Sequence, residues 1–319
     1  MKKIFLTGAT GFIGANLAHK LVKNKNNHVY VLVRKYSNLW RISKIKKDVI
    51  LVECDLNDGK KLKEIIQKIK PSIIYHCAAY GIIHEENDFE KTINTNVFGT
   101  INLINACKDI KIDAFINLSS SLEYGEKEYA MKECDSLNPI NIYGISKVIC
   151  TEYANQMSKV FGLPIITLRV FTPFGYYEHK SRLFPSLFLS IVNNKNPQLA
   201  KPNSVRDFIF IEDAIDFIIL SSKYAKKYAG QVFNLGTGKQ HSVSEIADLA
   251  INVSGKKLKP EYNSVPGRIY DLMTWTADMK KTFKYFNWKP RYSIKIATKK
   301  MFIWFSKNKK LYSERNNKK

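Results

Sequence analysis

Tyr143 and Lys147 stand four residues apart in Tyr143-Gly144-Ile145-Ser146-Lys147. The pattern predicts a helix over 143–161, on which two residues at this spacing share a face one turn apart. A free phenol titrates near ~10, so bringing it to about 7 takes roughly 4 kcal/mol at ~1.4 kcal/mol per unit. An ammonium about 6 Å away supplies around 3 kcal/mol at an effective dielectric of ~20. A second cation, such as an oxidised nicotinamide ring, would supply the rest and make the phenol a base. With the ring reduced, the phenol stays protonated and can donate to a carbonyl oxygen. Tyr-x-x-x-Lys pairs are common on helix surfaces, so this chemistry needs further parts. A hydroxyl comes from Ser119-Ser120-Ser121, which follows a predicted strand over 115–118. Strand ends are where ligands gather in open α/β sheets, and Ser120 would hold the reacting oxygen by hydrogen bond.

The elements that must position these groups begin at the N-terminus. A short apolar run over 3–6 predicts a buried strand, and an amphipathic pattern over 12–23 predicts a helix. Between them lies Thr7-Gly8-Ala9-Thr10-Gly11-Phe12-Ile13-Gly14, spaced G-x-x-G-x-x-G. Strand, glycine turn and helix form the context of a dinucleotide phosphate site. A Cβ at Gly8 or Gly11 would hold the backbone off a pyrophosphate, and Gly14 would let the helix approach the sheet. The helix N-terminus offers free N–H groups and a partial positive charge.

Further strands are expected over 28–33, 49–52 and 73–77. The second ends in Arg34 and Lys35, with Ser37 and Arg41 close by, where an NAD-preferring fold places a carboxylate for the ribose 2′-hydroxyl. A guanidinium can grip a 2′-phosphate with paired hydrogen bonds, so the expected cofactor is NADP(H), with NAD the alternative. Arg34 could instead stack on adenine or point to solvent. Asp55 could accept from the adenine amino group or simply form a turn before Asn57-Asp58-Gly59. Small residues at Ala78-Ala79 would let a cofactor lie close.

Taken together, these segments resemble the extended short-chain dehydrogenase/reductases of the NAD(P)-dependent epimerase/dehydratase family, which mostly act on nucleotide sugars. Nearly the whole chain contributes. Besides the glycine turn and Tyr143 to Lys147, it carries Asn96-Val97-Phe98-Gly99-Thr100, Tyr124-Gly125 after the serines, Leu168-Arg169, Arg206-Asp207-Phe208 and Pro266-Gly267-Arg268 with Asp271. The resemblance implies Ser120, Tyr143 and Lys147 as catalytic residues, with Ser121 the second choice of serine. It implies cofactor contacts from Gly8, Thr10, Gly11, Phe12, Ile13, Gly14, Arg34, Asp55, Leu56, Ala78, Ala79, Tyr143 and Lys147. Substrate contacts would come from Ser121, Thr172, Arg206 and Arg268, the two arginines clamping a diphosphate. Arg206 could alternatively pair with a carboxylate such as Asp213. Thr172 stands where the family usually carries Asn. A homodimer formed by helices around 96–108 and 143–161 is also implied, as is a role in polysaccharide biosynthesis.

Departures from the family pattern narrow the reaction. Family 4,6-dehydratases carry an acidic residue directly after the catalytic hydroxyl segment, where this chain has Ser121 and Leu122. Glu123 is one position off and would face the other way on a strand. The expected chemistry is therefore at a ring carbon, C4: reduction of a 4-keto sugar, or epimerisation with retained NAD. The rival of another class is a non-catalytic NADP- or RNA-binding protein of the same fold.

The expected architecture is α/β: a Rossmann-type doubly wound parallel sheet with a smaller C-terminal α/β substrate domain. Residues 1–172 form the dinucleotide domain, to which 205–238 returns. Residues 173–204 and 239–306 form the substrate domain, in which Ser242 and Glu245 match a capping box. Residues 307–319, with six basic residues against one acidic, read as a basic tail. Cysteines at 54, 77, 107, 134 and 150 form no C-x-x-C pair, so reduced thiols, a cytoplasmic setting and no metal are expected. No apolar run is long enough to span a membrane, and residues 1–3 lead straight into a strand rather than a signal sequence. The net charge of +23 is spread along the chain, which favours a lysine-rich solvated surface over nucleic-acid binding.

Overall fold

The computed structural model describes residues 1–83, 85–265 and 273–312. Among these described residues, ten strands run in chain order: β1 (Lys2–Thr7), β2 (Asn27–Val33), β3 (Ile50–Glu53), β4 (Ile73–His76), β5 (Ala114–Ser120), β6 (Ile165–Val170), β7 (Thr172–Phe174), β8 (Val205–Phe210), β9 (Gln231–Leu235) and β10 (Gln240–Ser242). The helices are α1 (Phe12–Leu21), α2 (Gly59–Ile69), α3 (Phe89–Ile93), α4 (Gly99–Ala106), α5 (Ile142–Phe161), α6 (Leu183–Val192), α7 (Ile211–Ser222), α8 (Val243–Ser254), α9 (Lys280–Phe286) and α10 (Ile294–Asn308). The chain divides into two compact units. The first holds Met1–Gly125, Glu133–Val170 and Ile215–Asn234; the second holds Glu126–Lys132, Phe171–Ala214 and Leu235–Lys319.

The first unit is built on a seven-stranded sheet in the order β3-β2-β1-β4-β5-β6-β9. Its pairs β1–β2, β1–β4, β2–β3, β4–β5 and β5–β6 are all parallel. Every residue of β5 and β6 is buried, as expected of central parallel strands covered on both faces. Helices α2, α4 and α5 contribute Leu62, Ile66, Leu103, Ile104, Ala154 and Met157 to one core with Phe5, Ile74 and Phe115 of the sheet. Strand order reverses between β1 and β4. Ligands of doubly wound folds bind at such a reversal, beyond the carboxyl ends of the strands. The glycine turn follows β1 there, and Ala78-Ala79 follows β4. The expected return of 205–238 to this unit is made by 215–234, which brings β9 to the sheet edge.

The second unit contains the sheet β10-β8-β7, with β8 antiparallel to β10 and parallel to β7. Strand β8 thus lies here, as does Thr172 on β7. Helix α8 opens with the expected capping box: Ser242 Oγ accepts from Glu245 N at 3.1 Å, and Ser242 N donates to Glu245 Oε2 at 3.0 Å. Helices α6, α8 and α10 pack together over aromatic contacts such as Phe188 on Phe305, 5.6 Å between centroids. Among the described residues, no helix is long and apolar enough to cross a membrane.

Candidate active site

The glycine turn is shaped by the protein's own backbone. Gly8 has φ +73°, and a Cβ there would meet the carbonyl carbon of Cys77 at 2.5 Å and Ala78 N at 2.6 Å. A Cβ at Gly14 would lie 2.3 Å from the Gly8 carbonyl oxygen. These two glycines let β1, the β4 exit and α1 converge. The demand on Gly11 is milder, since its nearest atom would be 3.2 Å away. Gly11 caps α1 with no side-chain bond, so the N–H groups opening the helix, which lack intrahelical partners, face no capping oxygen. This uncapped start fits a phosphate. Thr10 sits in the turn with its carbonyl held by Arg41 Nη1 at 2.9 Å, while Phe12 and Ile13 open the helix.

Arg34 leaves β2 exposed, and its backbone closes a turn with Ser37. It lines a cleft of about 320 Å³ together with the basic Lys91 and the acidic Asp55, Asp88 and Glu90. Asp55 closes a turn: its Oδ1 accepts from Asn57 N at 2.9 Å and its carbonyl accepts from Asp58 N at 3.1 Å. Leu56 is buried, with its carbonyl bound by Asn102 Nδ2 at 2.9 Å. Ala78 N donates to Thr7 Oγ1 at 3.2 Å, and Ala79 is exposed.

The candidate acid/base residues Tyr143 and Lys147 both lie on α5. Asn141 caps that helix, its Oδ1 accepting from Gly144 N at 2.7 Å. A Cβ at Gly144 would fall 2.6 Å from the Leu122 carbonyl oxygen. Gly144 therefore lets the first turn of α5 lie directly against the 3-10 turn Ser121–Glu123. Ser120, ending β5, caps that turn by accepting from Leu122 N at 3.2 Å. Ser120, Ser121, Tyr143 and Lys147 are all buried. Lys147 Nζ lies 6.0 Å from the Tyr143 ring centre, and Gly81 approaches the same ring. Burial lowers the Lys147 pKa, while Cys150, Glu123 and Cys77 pull it back up. His76, between Thr7 Oγ1 at 2.7 Å and Thr100 Oγ1 at 2.9 Å, is held neutral: burial first and Lys147 second push its pKa down to about 3.

Glu123 requires a correction. It stands not on a strand but in the 3-10 turn, where it is fully buried. Its Oε2 accepts from Arg169 Nε at 2.6 Å and its Oε1 from Thr151 Oγ1 at 2.7 Å, with Ser119 Oγ a further donor. Arg169 also donates to the Glu133 carbonyl at 3.0 Å and lies 4.7 Å from the Tyr124 ring centre. Glu123 thus joins β5, β6 and α5 and is committed to that network. Asn96, quoted above only within a motif, has a comparable role. It lies in a π-helical stretch, Asn94–Phe98, accepts from Tyr80 N, and donates to Tyr80 O and Ser146 Oγ. It thereby ties the β4 exit to α5. Short π segments of this kind recur at functional sites.

In the second unit Arg206 lies on β8, with its guanidinium 5.7 Å from the Trp275 ring centre and bonded to Ser204 Oγ and the Val205 carbonyl. Asp213, the alternative partner, accepts instead from Arg291 N and Tyr292 N and pairs with the Arg291 guanidinium at 3.6 Å. Asp207 is buried and gathers Thr237 N, Thr237 Oγ1, Gly238 N and Ala277 N, which fixes the strand end beside Arg206. Thr172 is half-buried opposite Phe208. Arg268 and Asp271 lie outside the described residues. Among the described residues, no group of three or more His, Cys, Asp or Glu could hold a metal.

Comparison with known proteins agrees with this arrangement. The UDP-glucose 4-epimerase of Lactobacillus helveticus is 28% identical over 310 residues, 91% of this chain and 92% of that protein. The dTDP-D-glucose 4,6-dehydratase of Dictyostelium discoideum is 28% identical over 278 residues, 80% of this chain and 62% of that protein. The crystal structure of UDP-glucuronic acid 4-epimerase from Bacillus cereus, in complex with UDP-glucuronic acid and NAD, superimposes with a TM-score of 0.84 at 28% identity, over 96% of this chain and 99% of that one. A family model, described as the NAD dependent epimerase/dehydratase family, matches residues 4–236. With the glycine turn at the strand-order reversal and the first turn of α5 against Ser121–Glu123, the chain belongs to the NAD dependent epimerase/dehydratase family of enzymes.

Proposed function

We propose that the chain is a nucleotide-sugar oxidoreductase working at a ring carbon, C4, and that its net reaction is reduction of a 4-keto sugar with NADPH. The observation that carries this reading is the buried contact of the Tyr143–Lys147 turn with the Ser120 cap, made possible by Gly144. The uncapped start of α1, with Gly8 and Gly14 behind it, would hold the cofactor pyrophosphate. Arg34, exposed at the β2 end with Lys35 beside it and no carboxylate in their place, would take a 2′-phosphate. A cofactor held there would supply the hydride for the sugar carbon.

The remaining work falls to this chain's own side chains. Tyr143 gives a proton to the C4 oxygen during reduction and takes it back during oxidation, and the Lys147 ammonium eases both directions by favouring the phenolate. Ser120 Oγ already accepts from Leu122 N, which leaves its own hydrogen for the C4 oxygen. Dehydration needs a further base. Ser121 and Leu122 provide none, and Glu123 is consumed by Arg169 and Thr151. Arg206, preset on Trp275, would bind diphosphate oxygens.

Epimerisation at C4 with retained NAD is the second reading, favoured by the full-length likeness to proteins named as 4-epimerases, one of them solved with NAD. One assay separates the two: denature the purified protein and identify released nucleotides, then screen UDP-, dTDP-, GDP- and CDP-sugars for turnover. NADPH consumption by a 4-keto sugar supports the first reading. Tightly held NAD with interconversion of C4 epimers and no NADPH consumption replaces it with the second. Unchanged turnover in Tyr143→Phe would remove both mechanisms.

A homodimer through α4 and α5 belongs to the same proposal. Phe98, Ile145 and Ile149 are 52%, 41% and 42% exposed at these helices, a surface suited to apolar pairing. Sedimentation velocity of Ile149→Glu, expected to run as a monomer, checks it.

A further inference from the structure

One part of the molecule is not used by the reading above. The chain holds 28 acidic residues, yet none falls within 279–313, a stretch with ten lysines and one arginine. Two helices of the second unit, α9 and α10, occupy most of it. Helix α10 buries Ala297, Thr298, Met301 and Phe305. Its opposite face carries Ile296, Lys299, Ile303 and Lys307, and Lys310 follows beyond its end, all exposed. Spacings of three and four residues keep these five on one narrow stripe. Ile296 and Ile303, two turns apart, are 52% and 46% exposed on that stripe. Lys295 and Lys309 flank it, and Tyr285 on α9 is a further exposed amphipathic side chain.

We propose that the outward face of α10 docks on an anionic lipid bilayer surface, with Ile296 and Ile303 entering the headgroup boundary and the lysines resting on lipid phosphates. The match is one of charge and of polarity. A polybasic segment is drawn to the negative potential of an anionic leaflet. A helix with lysines beside exposed aliphatic side chains lies in the interface plane. Nucleic acid is the weaker fit. Its phosphates would satisfy the lysines, but backbone contact of this sequence-independent kind gives the two exposed isoleucines no apolar surface to bury against. Lys300 is not counted, because it pairs with Glu212 at 3.2 Å.

The test is flotation of the purified full chain with phosphatidylcholine vesicles, with or without phosphatidylglycerol. The chain is expected to float only with the phosphatidylglycerol vesicles and to be released as salt is raised. Each stripe lysine neutralised should lower partitioning about fivefold. Lys299→Gln/Lys307→Gln is therefore expected to lose at least about tenfold, and Ile303→Asn to weaken binding with the charge unchanged. All three positions are exposed, so unchanged thermal unfolding confirms that folding is kept; should one variant fail it, the remaining substitution and the lipid and salt dependence of the parent chain decide. No flotation with anionic vesicles overturns the proposal. So does flotation unaffected by the stripe variants, or binding to duplex DNA that competes with vesicles and ignores Ile303→Asn. Because none of these readouts needs turnover, failure here leaves the proposed reaction standing.

Discussion

Lys147→Met is the substitution that most directly probes how the acid/base centre works. The ammonium nitrogen sits 6.0 Å from the Tyr143 ring centre. At an effective dielectric of ~20, a unit charge at that distance favours the phenolate by about 3 kcal/mol, or roughly two pH units. Lys147 is itself buried, which lowers its own pKa, with Cys150, Glu123 and Cys77 opposing. The help it gives Tyr143 therefore fades as pH rises through that lowered value. The assay needs no substrate. Near-ultraviolet titration of the phenolate with NADP+ bound, taken as the difference between the parent chain and Tyr143→Phe, isolates one tyrosine. The titration midpoint should move up by about two units in Lys147→Met and by much less in Lys147→Arg, which keeps the charge. An unmoved midpoint would refute the electrostatic role and reduce Lys147 to a residue that merely orients the cofactor.

Three further outcomes follow from the geometry. Arg169→Met strands the fully buried Glu123 carboxylate and should cost roughly 3–5 kcal/mol in urea unfolding, most of it recovered by adding Glu123→Leu, because a lone buried charge is worse than none. His76 is neutral in the fold, with its pKa lowered to about 3, whereas the unfolded chain takes up that proton below about 6.5; unfolded chains therefore bind more protons between these values. Stability should fall as pH drops through that window by up to ~1.4 kcal/mol per unit, and His76→Gln should flatten the urea midpoint against pH. Gly144→Ala would place a Cβ 2.6 Å from the Leu122 carbonyl oxygen; it should cost about 1–3 kcal/mol through overpacking and lower turnover more than cofactor affinity, measured by NADPH fluorescence.

Much of the site is local and so could be read from the chain alone. Gly8, Gly11 and Gly14 recur within a few residues and mark the turn from β1 into α1, whereas the Cys77–Ala78 backbone that Gly8 clears comes from 69 positions away. The capping box of α8 is set by Ser242 and Glu245, three positions apart. Tyr143 and Lys147 share a face because helix geometry dictates it. The same reasoning weakens where a residue's role depends on a distant partner. Asp213 looked available to Arg206, but Arg291, 78 residues downstream of Asp213, holds it.

Residue types and their spacing thus determined the glycine turn and the shared helix face of Tyr143 and Lys147. Tertiary structure alone decided that Glu123 faces Arg169, 46 positions away, that Asn96 joins Tyr80 to Ser146, and that Gly144 is the hinge of contact between α5 and the serine turn. The physical reason is that backbone conformation and helix periodicity are encoded over a turn or two. A buried polar side chain, by contrast, must find whichever partner the packed sheet and helices bring to it, because leaving it unpaired costs more than almost any local preference can return.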